Sequence, residues 1–281
     1  MGRVVITGAT GQLGRQLVRA YEGAGHEVQG LGRTEFDIAD PSRDELIVAF
    51  APDVIVNAAA WTDVDGCARD PDRALLVNGR AAGRVAALAT ACGALSVQIS
   101  TNEVFDGLLD RPYRPDDDAR PINSYGASKL AGERAVADAN PRHLIVRTAW
   151  LFGPGGTNFV TKILGAARRA VASGEPLRVV DDEWGNPTWT PDLATAVVTL
   201  TDAFTDAAIV HAAGVPPATR LGWAEVALDA AGLGVPIEPV PLATFERAST
   251  PPARAILEPS GGMPELDWRL TTRAYVAGLP E

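Results

Sequence analysis

The sequence predicts an α/β fold, with a Rossmann-type, doubly wound parallel sheet followed by a smaller C-terminal region. Short segments rich in Val and Ile alternate four times with longer helical patterns in the first half of the chain. A glycine-rich turn separates the first segment from the first helical pattern, and beyond Trp150 the residues Pro, Gly and Trp punctuate shorter elements. Strand–helix alternation of this kind favours parallel strands with helices on both faces of the sheet.

The strands and helices follow from apolar patterns and from boundary residues. The first strand, Arg3–Thr7, is a β-branched run that is too short for a helix and ends at a glycine. Asp40 and Pro41 are typical of a helix N-terminus, as N-cap and first helical residue. The predicted strands are 3–7, 26–31, 53–57, 95–100 and 143–147, and the predicted helices are 12–24, 41–50, 72–91 and 124–139.

Composition and charge limit the classes of function. A net charge of −10 argues against nucleic acid as a partner, because contacts to a phosphate backbone need clustered Lys and Arg. The two cysteines, Cys67 and Cys92, give neither a disulfide framework nor a metal-ligand spacing, and they suit a reducing compartment. We find no secretory leader pattern and no apolar run of the ~18 residues that a membrane helix needs. We therefore expect a cytoplasmic protein without a membrane partner.

The turn after the first strand has the glycine spacing of a phosphate-binding loop. Residues 8–14 read G-A-T-G-Q-L-G, with glycines at the first, fourth and seventh positions. A bound pyrophosphate needs a tight turn, close approach of the backbone, and N–H groups of a helix N-terminus. Glycines end many strands, but the position of this turn on the first strand–helix junction favours dinucleotide binding.

The end of the second strand indicates which dinucleotide binds. Sites for NAD carry an acidic residue there for the ribose hydroxyls, whereas this chain has Arg33. An arginine without a carboxylate favours a 2′-phosphate and hence NADPH, with NADH as the alternative, although a solvated loop arginine is the competing interpretation. Asp37 and Ile38 lie where a side chain reaches an adenine. The small residues 58–60 let a ring or ribose approach the backbone, although plain helix packing explains these alanines nearly as well.

Tyr125 and Lys129, near the start of a helix, form the candidate proton-transfer pair. Spacing of four residues puts the phenol and the ammonium on one face of the helix. The pKa of a free tyrosine is ~10, and a neighbouring Lys⁺ is expected to lower the pKa of Tyr125 and make the phenol a usable acid or base. Thr101, at the end of the fourth strand, is placed to hydrogen-bond a carbonyl that is being reduced. The competing interpretations are a solvent-facing pair and ordinary end-of-strand chemistry.

Taken together, these motifs resemble those of the extended short-chain dehydrogenases/reductases, and within that class those of the dTDP-4-dehydrorhamnose reductases. The resemblance covers almost the whole chain. The segments that carry it are 7–14, 53–60, 100–101 with 104–107, 125–133, 147–153, 158–159, 179–182 and 187–188.

The resemblance implies roles for individual residues. Thr101, Tyr125 and Lys129 would be the catalytic residues, with Tyr125 as the proton donor, and Trp150 would lie against the sugar. With the glycine turn and Arg33 included, the residues expected to bind the cofactor are Gly8, Thr10, Gly11, Gln12, Leu13, Gly14, Arg33, Asp37, Ile38, Ala58, Ala59 and Ala60.

Two segments depart from the family pattern. After Ser-Thr the family commonly has Asp-Tyr, whose tyrosine touches the substrate, whereas this chain has Asn102 and Glu103. The acidic stretch that can hold Mg²⁺ at the family's dimer contact reads G-C-A-R-D at 66–70 here, so we expect no metal. A homodimer is a possible assembly. The residues expected to bind the substrate are Asn102, Glu103, Trp150 and Asn158.

We therefore expect NADPH-dependent reduction of the 4-keto group of a nucleotide-linked 4-keto-6-deoxy sugar. Residues 1–150 would form the dinucleotide-binding domain and residues 151–281 mainly the substrate-binding region, with some segments returning to the sheet. Alternative functions are a ketoreductase for another dTDP-deoxysugar, an epimerase or dehydratase with tightly bound NAD, and a non-catalytic dinucleotide-binding regulatory subunit. The candidate donors to the substrate's diphosphate are Lys162, Arg168, Arg220 and Arg254.

Overall fold

The structure is a computed structural model that describes residues 2–260 and 267–279. Its strands are β1 (Arg3–Thr7), β2 (Glu27–Leu31), β3 (Val54–Asn57), β4 (Leu95–Thr101), β5 (His143–Thr148), β6 (Leu151–Phe152), β7 (Leu177–Val180), β8 (Trp184–Gly185), β9 (Thr188–Trp189), β10 (Ala208–His211), β11 (Ala218–Thr219) and β12 (Ile237–Val240). Its α-helices are α1 (Gln12–Gly23), α2 (Glu45–Phe50), α3 (Val64–Arg69), α4 (Pro71–Ala74), α5 (Ala81–Cys92), α6 (Ser124–Ala139), α7 (Phe159–Ser173), α8 (Thr190–Asp202), α9 (Arg220–Ala230) and α10 (Trp268–Ala277).

Six parallel strands form the central sheet, in the spatial order β10-β5-β4-β3-β1-β2. The chain runs from β1 to β2 at one edge and then returns to β3 on the other side of β1, so the order reverses between β1 and β3. Ligands of open α/β sheets bind at such a reversal, outside the carboxyl ends of the strands. The glycine turn after β1 and the alanines after β3 both lie at this point.

Helices cover both faces of the sheet. On one face α1 and α8 bury Leu17, Tyr21 and Val197 against the strands. On the other face α2 and α5 contribute Ile47 and Val85. Burial of both faces explains why the strands are near-continuous runs of Val and Ile. The predicted α/β class with a doubly wound parallel sheet is confirmed.

The second half of the chain contributes to two cores. Phe152, Trp223 and Trp268 belong to a separate apolar core, built mainly from α7, α9 and α10. Strand β10, however, pairs with β5 at the edge of the central sheet, and the Thr201 hydroxyl of α8 lies 2.7 Å from the Tyr21 hydroxyl of α1. Segments beyond residue 150 therefore return to the sheet. The domain division at residue 150 stays a prediction.

Two predicted helices differ in detail from the structure. Residues 41–50 form a 3₁₀ turn (Pro41–Arg43) followed by α2, and the long helix predicted over 72–91 is interrupted by a π-helical segment, Leu75–Arg80. Asn78 lies in that segment and bonds both the N–H and the C=O of Trp61, at 2.8 and 3.0 Å. These bonds tie the segment to the loop that follows β3, and π segments of this kind are frequent near functional sites. Within the described ranges, no helix is both long and apolar enough to cross a membrane.

Candidate active site

The turn between β1 and α1 allows close approach of a ligand to the backbone. Gly8 has φ +71°, a left-handed conformation that favours glycine. A Cβ on Gly8 would lie 2.7 Å from the amide nitrogen of Ala59, and a Cβ on Gly14 would lie 2.1 Å from the carbonyl oxygen of Gly8. Gly11 is the N-cap of α1 and has no side chain to bond the first N–H groups of the helix. This helix N-terminus therefore fits an anion such as a pyrophosphate.

A cavity of about 230 Å³ lies beside this turn, at the crevice between β1 and β3. Arg33 and Asp37 are on its wall, and the Arg33 Nε lies 3.2 Å from a carboxylate oxygen of Asp37. The Arg33 side chain is 76% exposed, so its guanidinium can turn toward a ligand phosphate. The cavity brings together most of the residues predicted to bind the cofactor: Gly8, Thr10, Gly11, Arg33, Asp37, Ile38, Ala58, Ala59 and Ala60.

The same cavity has four wall residues that the sequence analysis missed: Phe36, Trp61, Arg73 and Val77. Trp61 follows the alanines after β3, and the guanidinium of Arg73 lies 4.3 Å from the centre of its ring. Arg73 is on α4, far in sequence from the glycine turn, and belongs to no motif. Only the tertiary fold brings Arg73 to this wall.

A second cavity, of about 430 Å³, contains the three predicted catalytic residues. Thr101 is the last residue of β4, and Tyr125 and Lys129 lie on the first turns of α6. Asn123 starts that helix, because its side chain accepts a hydrogen bond of 2.8 Å from the Gly126 N–H. Gln12, Leu13 and Gly14 line the same cavity, so the N-terminus of α1 faces the Thr/Tyr/Lys group.

The pKa of Tyr125 is shifted in the opposite direction to the prediction. Burial raises the pKa of Tyr125 well above its usual range, the Glu103 carboxylate raises it further, and the Thr101 hydroxyl acts in the opposite direction. The expectation that Lys129 lowers this pKa is wrong, because the pKa is raised and Lys129 is not among the groups that act on it. The Lys129 ammonium donates a 2.6 Å hydrogen bond to the Ile99 carbonyl instead. Burial lowers the pKa of Lys129 to about 8, against an opposing effect of the Glu133 carboxylate.

The two residues that depart from the family pattern line the same cavity. The Asn102 side chain donates to the Ala255 carbonyl at 3.0 Å, and its amide oxygen lies 3.3 Å from the Thr101 hydroxyl. Glu103 accepts a 2.7 Å hydrogen bond from the Asn123 side chain, and burial raises the pKa of its carboxyl group. Both side chains are therefore placed to contact a molecule that lies beside Thr101.

A third cavity, of about 540 Å³, is rich in positive charge. Lys162 and Arg220, two of the four predicted phosphate donors, line it, whereas Arg168 and Arg254 do not. Two aromatic rings also face this space. The lining residues that the sequence analysis did not propose include Arg178, Arg247, Phe159 and Phe245.

Trp150 lies where the second and third cavities approach each other. It has φ +44°, an uncommon conformation for a residue with a side chain. The Arg220 guanidinium lies 3.5 Å from the centre of the Trp150 ring, and the Trp223 ring is nearly parallel to that ring at 6.0 Å. Arg220 also donates a 2.9 Å hydrogen bond to Glu183. These contacts orient the indole, which lines the 430 Å³ cavity.

Asn158 lines the third cavity, but its polar atoms are already bonded. Its amide oxygen caps α7 by accepting from the Thr161 N–H at 3.3 Å. Its amide nitrogen donates to the Gly153 carbonyl and to the Tyr275 hydroxyl, at 3.1 and 3.0 Å. In this arrangement Asn158 orients the start of α7, and its contact with substrate stays a prediction.

No group of three or more His, Cys, Asp or Glu side chains is arranged to hold a metal ion in the part of the chain that the structure describes. The segment 66–70, which departs from the family's acidic stretch, lies mainly in α3. The expectation that the protein uses no metal stays a prediction.

The nearness of a dinucleotide cradle to Thr101 and Tyr125 puts this fold in the class of the short-chain dehydrogenases/reductases, which are oxidoreductases. Comparison with known proteins narrows this class. The family described as the RmlD substrate binding domain matches residues 2–279, and the chain belongs to this family. The predicted resemblance is therefore confirmed.

Among curated proteins, the chain is 36% identical to the spore coat polysaccharide biosynthesis protein SpsK of Bacillus subtilis, over 98% of this chain and 97% of that protein. It is also 36% identical to a dTDP-4-dehydrorhamnose reductase of Mycolicibacterium smegmatis, over 99% of this chain and 86% of that protein. Among solved structures, the dTDP-4-dehydrorhamnose reductase of Bacillus anthracis in complex with NADP is 29% identical. It covers 99% of both chains with a TM-score of 0.92.

Proposed function

We propose that this protein reduces the 4-keto group of a nucleotide-linked 4-keto-6-deoxy sugar with NADPH. The observation that carries the proposal is the continuity of the three cavities. Gly11, Ala58 and Ala60 line both the 230 and the 430 Å³ cavities, and Thr62 and Leu151 line both the 430 and the 540 Å³ cavities. A dinucleotide cradle, a Thr/Tyr/Lys group and a positively charged cavity thus adjoin in the order that a nucleotide-sugar reductase needs.

The names of the relatives support the class of substrate. The M. smegmatis and Streptomyces griseus relatives are dTDP-4-dehydrorhamnose reductases, and a Streptomyces niveus relative, 43% identical over 70% of this chain, is a dTDP-4-keto-6-deoxy-D-glucose reductase. These substrates share a 4-keto sugar linked to a nucleoside diphosphate. A ketoreductase for another dTDP-deoxysugar is therefore the closest alternative.

The residues present fit a phosphorylated dinucleotide. The N-terminus of α1 would bind the pyrophosphate, and Arg33 would bind a 2′-phosphate. When bound, NADPH supplies the hydride for the carbonyl carbon. Residues 58–60 leave room for the cofactor because their small side chains line the 230 Å³ cavity, and Ala58 and Ala60 line the 430 Å³ cavity as well.

Tyr125 would give the proton that completes the reduction. The phenol is protonated at neutral pH, as a donor must be, and its raised pKa means that it gives up the proton only to the negative charge that develops on the carbonyl oxygen. The phenolic O–H donates to the carbonyl oxygen, which becomes a hydroxyl, while the Thr101 hydroxyl holds the same oxygen. Lys129, whose pKa is about 8, is mostly charged at pH 7 and would balance the phenolate that remains. It would also bind the ribose hydroxyls of the cofactor.

The 540 Å³ cavity would hold the nucleoside diphosphate of the substrate. Lys162, Arg178, Arg220 and Arg247 offer positive charge for the phosphates, and aromatic faces are available for the base. Trp150 would pack against the sugar ring, since its indole lies between this cavity and Tyr125. Asn102 and Glu103 would contact the sugar near its carbonyl.

The test is NADPH oxidation across a panel of nucleotide-linked 4-keto-6-deoxy sugars, with the product configuration read by NMR. We expect turnover with at least one dTDP-linked member and formation of a 4-hydroxyl. NADPH binding without turnover of any member would contradict the proposal and indicate a regulatory subunit. NAD⁺ retained through purification would instead indicate an epimerase or dehydratase.

Cofactor preference can be tested separately at Arg33. Arg33→Ala should raise the dissociation constant of NADPH about tenfold or more, because charge-assisted hydrogen bonds contribute ~1.5–3 kcal/mol. The dissociation constant of NADH should change less than twofold, since NADH has no 2′-phosphate. Fluorescence titration with both cofactors measures the two effects, and equal changes would contradict the assignment of Arg33.

A further inference from the structure

Glu103 places a carboxylate in the catalytic cavity that carbonyl reduction does not use. It follows Thr101 in a 3₁₀ turn, Asn102–Val104, at the carboxyl end of β4, and it lines the same cavity as Tyr125. Reduction of a ketone requires one hydride and one proton. NADPH and Tyr125 account for both in the proposed function, so Glu103 is left without a part in that reaction.

One carboxylate oxygen of Glu103 accepts a hydrogen bond, and the other has no hydrogen-bond partner among the described residues. The Asn123 side-chain nitrogen donates to Oε2 at 2.7 Å. Asn123 is itself oriented, because its amide oxygen accepts from the Gly126 N–H at 2.8 Å. Over the described residues, Oε1 of Glu103 makes no hydrogen bond or ion pair. Its position is therefore set by the N-terminus of α6 while one oxygen stays available to a ligand.

Glu103 is also close to the proton donor. A Cβ on Gly126 would lie only 2.0 Å from the Glu103 carbonyl oxygen, so the turn packs directly on the helix residue that follows Tyr125. The Glu103 charge raises the pKa of Tyr125, as expected for neighbouring groups. Burial raises the pKa of Glu103 itself, and the Glu183 carboxylate adds to this effect, whereas Arg220 and Arg247 oppose it. A carboxylate with a raised pKa is a stronger base than one in water.

A 4-keto sugar has hydrogens on the carbons next to its carbonyl, and these can leave as protons because the electron pair passes to the carbonyl oxygen. The oxygen then needs hydrogen-bond donors, and the Thr101 and Tyr125 hydroxyls occupy that place in the proposed function. A carboxylate base beside two donors to the oxygen is an arrangement suited to proton abstraction next to a carbonyl.

We propose that Glu103 removes and returns a proton at a carbon next to the 4-keto group, so that the protein exchanges this hydrogen with solvent in addition to reducing the ketone. The C–H bond breaks, the proton passes to the Glu103 carboxylate, and the substrate becomes an enolate with its charge on the former carbonyl oxygen. Proton return reverses each change, so no oxidant or reductant is consumed. This inference rests on the proposed function, because it uses the same substrate and the same oxygen donors.

The test is incubation of the 4-keto sugar nucleotide in D₂O with the protein and NADP⁺, which cannot reduce the ketone. Mass spectrometry and ¹H NMR then measure deuterium at the neighbouring carbons. Wild-type protein should exchange at least tenfold faster than the enzyme-free solution. Glu103→Gln should lower the enzyme-dependent rate about 10²- to 10⁴-fold, the usual contribution of a general base. Glu225→Gln, at an exposed position on α9, is the matched control and should keep the wild-type rate.

A parallel assay with NADPH separates this inference from the proposed function. Reduction accompanied by exchange no faster than in the enzyme-free solution would overturn the inference alone, as would wild-type exchange by Glu103→Gln. Absence of reduction for every sugar in the panel would overturn the proposed function. Circular dichroism checks the fold of each variant. If Glu103→Gln does not fold, Glu103→Asp, which withdraws the carboxylate, should lower exchange at least tenfold.

Discussion

At the scale of single residues, Tyr125 shows how the surroundings decide a chemical role. The phenol is buried and faces Glu103, and both effects raise its pKa. A tyrosine in this environment holds its proton in the free protein and can release it only when negative charge develops on a bound molecule. This environment disfavours a preformed phenolate, which is consistent with the proposed role of Tyr125 as proton donor.

Replacing Tyr125 by Phe should lower kcat about 10²- to 10⁴-fold, because the proton would have to come from water. The dissociation constant of NADPH should stay within about threefold of the wild-type value, since the pyrophosphate contacts lie on α1. Steady-state NADPH oxidation and fluorescence titration measure the two quantities. Turnover within about tenfold of wild type would contradict the role of Tyr125.

A buried ion pair lies directly behind the catalytic helix. Arg147 donates to Glu133 at 2.7 and 3.0 Å, and both side chains are 3% exposed. Glu133 also accepts a short hydrogen bond from the Ser100 hydroxyl, next to Thr101. Together with the Ser100 hydrogen bond, the pair connects β5 to α6 and β4, and the last two elements deliver Thr101, Tyr125 and Lys129.

Removing one partner of this pair should be costly. Glu133→Ala leaves Arg147 buried without its counter-charge, and we expect the free energy of unfolding to fall by about 3–5 kcal/mol. The matched control is Asp118→Ala, which breaks the exposed Arg120–Asp118 pair, where the side chains are 69% and 82% exposed. That change should cost less than about 0.5 kcal/mol. Urea denaturation of both variants measures the difference, and similar losses would count against the buried pair.

At the scale of elements, α6 shows why the helix that carries Tyr125 and Lys129 contains glycines. A Cβ on Gly132 would lie 2.2 Å from the Asn78 carbonyl oxygen, and one on Gly126 would meet the Glu103 carbonyl oxygen. These glycines permit close packing of α6 on the π-helical segment and on the turn after β4. The helix can therefore bring Tyr125 and Lys129 to the sheet edge without a gap.

Helix α1 offers a comparison between two of its own glycines. Gly14→Ala should lower the free energy of unfolding by about 3 kcal/mol, because its Cβ would overlap backbone that cannot move away. Gly23→Ala should change it by less than about 1 kcal/mol and in the stabilising direction, because nothing lies within 4 Å of that Cβ. Urea denaturation of the two variants gives the comparison. Equal effects would show that the close approach at Gly14 is not required.

At the scale of the whole molecule, strand β10 joins the second half of the chain to the central sheet. His211, the last residue of β10, is fully buried and lies 3.1 Å from the Tyr113 carbonyl through Nδ1. In the described part of the chain, its other ring nitrogen has no hydrogen-bond partner. Burial and the nearby Arg147 lower the pKa of His211 to about 4. The imidazole is therefore buried in its neutral form.

The burial of neutral His211 should make the free energy of unfolding depend on pH. The unfolded chain binds a proton at His211 near its ordinary pKa of 6.5, whereas the folded protein does so only near 4. Stability is therefore unaffected above about pH 7 and is lost as the pH falls from 6.5 to 4. At pH 4.5 the His211 contribution to this loss should be about 2–3 kcal/mol. His211→Asn, which keeps a donor at the Nδ1 position, should reduce the loss by that amount in urea denaturation, and an unchanged loss would contradict the assignment.

Much of the sheet and the main catalytic candidates could be predicted from sequence because they are local patterns. The strand 3–7, the helix 124–139 and the Tyr125–Lys129 spacing each depend on residues close together in the chain, and all three agree with the structure. Strand β10 was missed because Ala208–His211 is short, and only its pairing with β5 identifies it as a strand of the central sheet. Arg73, Arg178 and Arg247 were missed because isolated arginines on different elements form no pattern.

The amino-acid sequence by itself determined the fold class, the glycine cradle and the nature of the Thr/Tyr/Lys group. Side-chain periodicity and turn chemistry depend on residues close together in the chain. They do not depend on how the remaining segments pack. Only the tertiary structure decided the charges around Tyr125, the cations of the 540 Å³ cavity and the position of Glu103 close to Tyr125. Those properties depend on burial and on distances between segments far apart in sequence, and electrostatic interactions in a protein are set by such distances and by the exclusion of water.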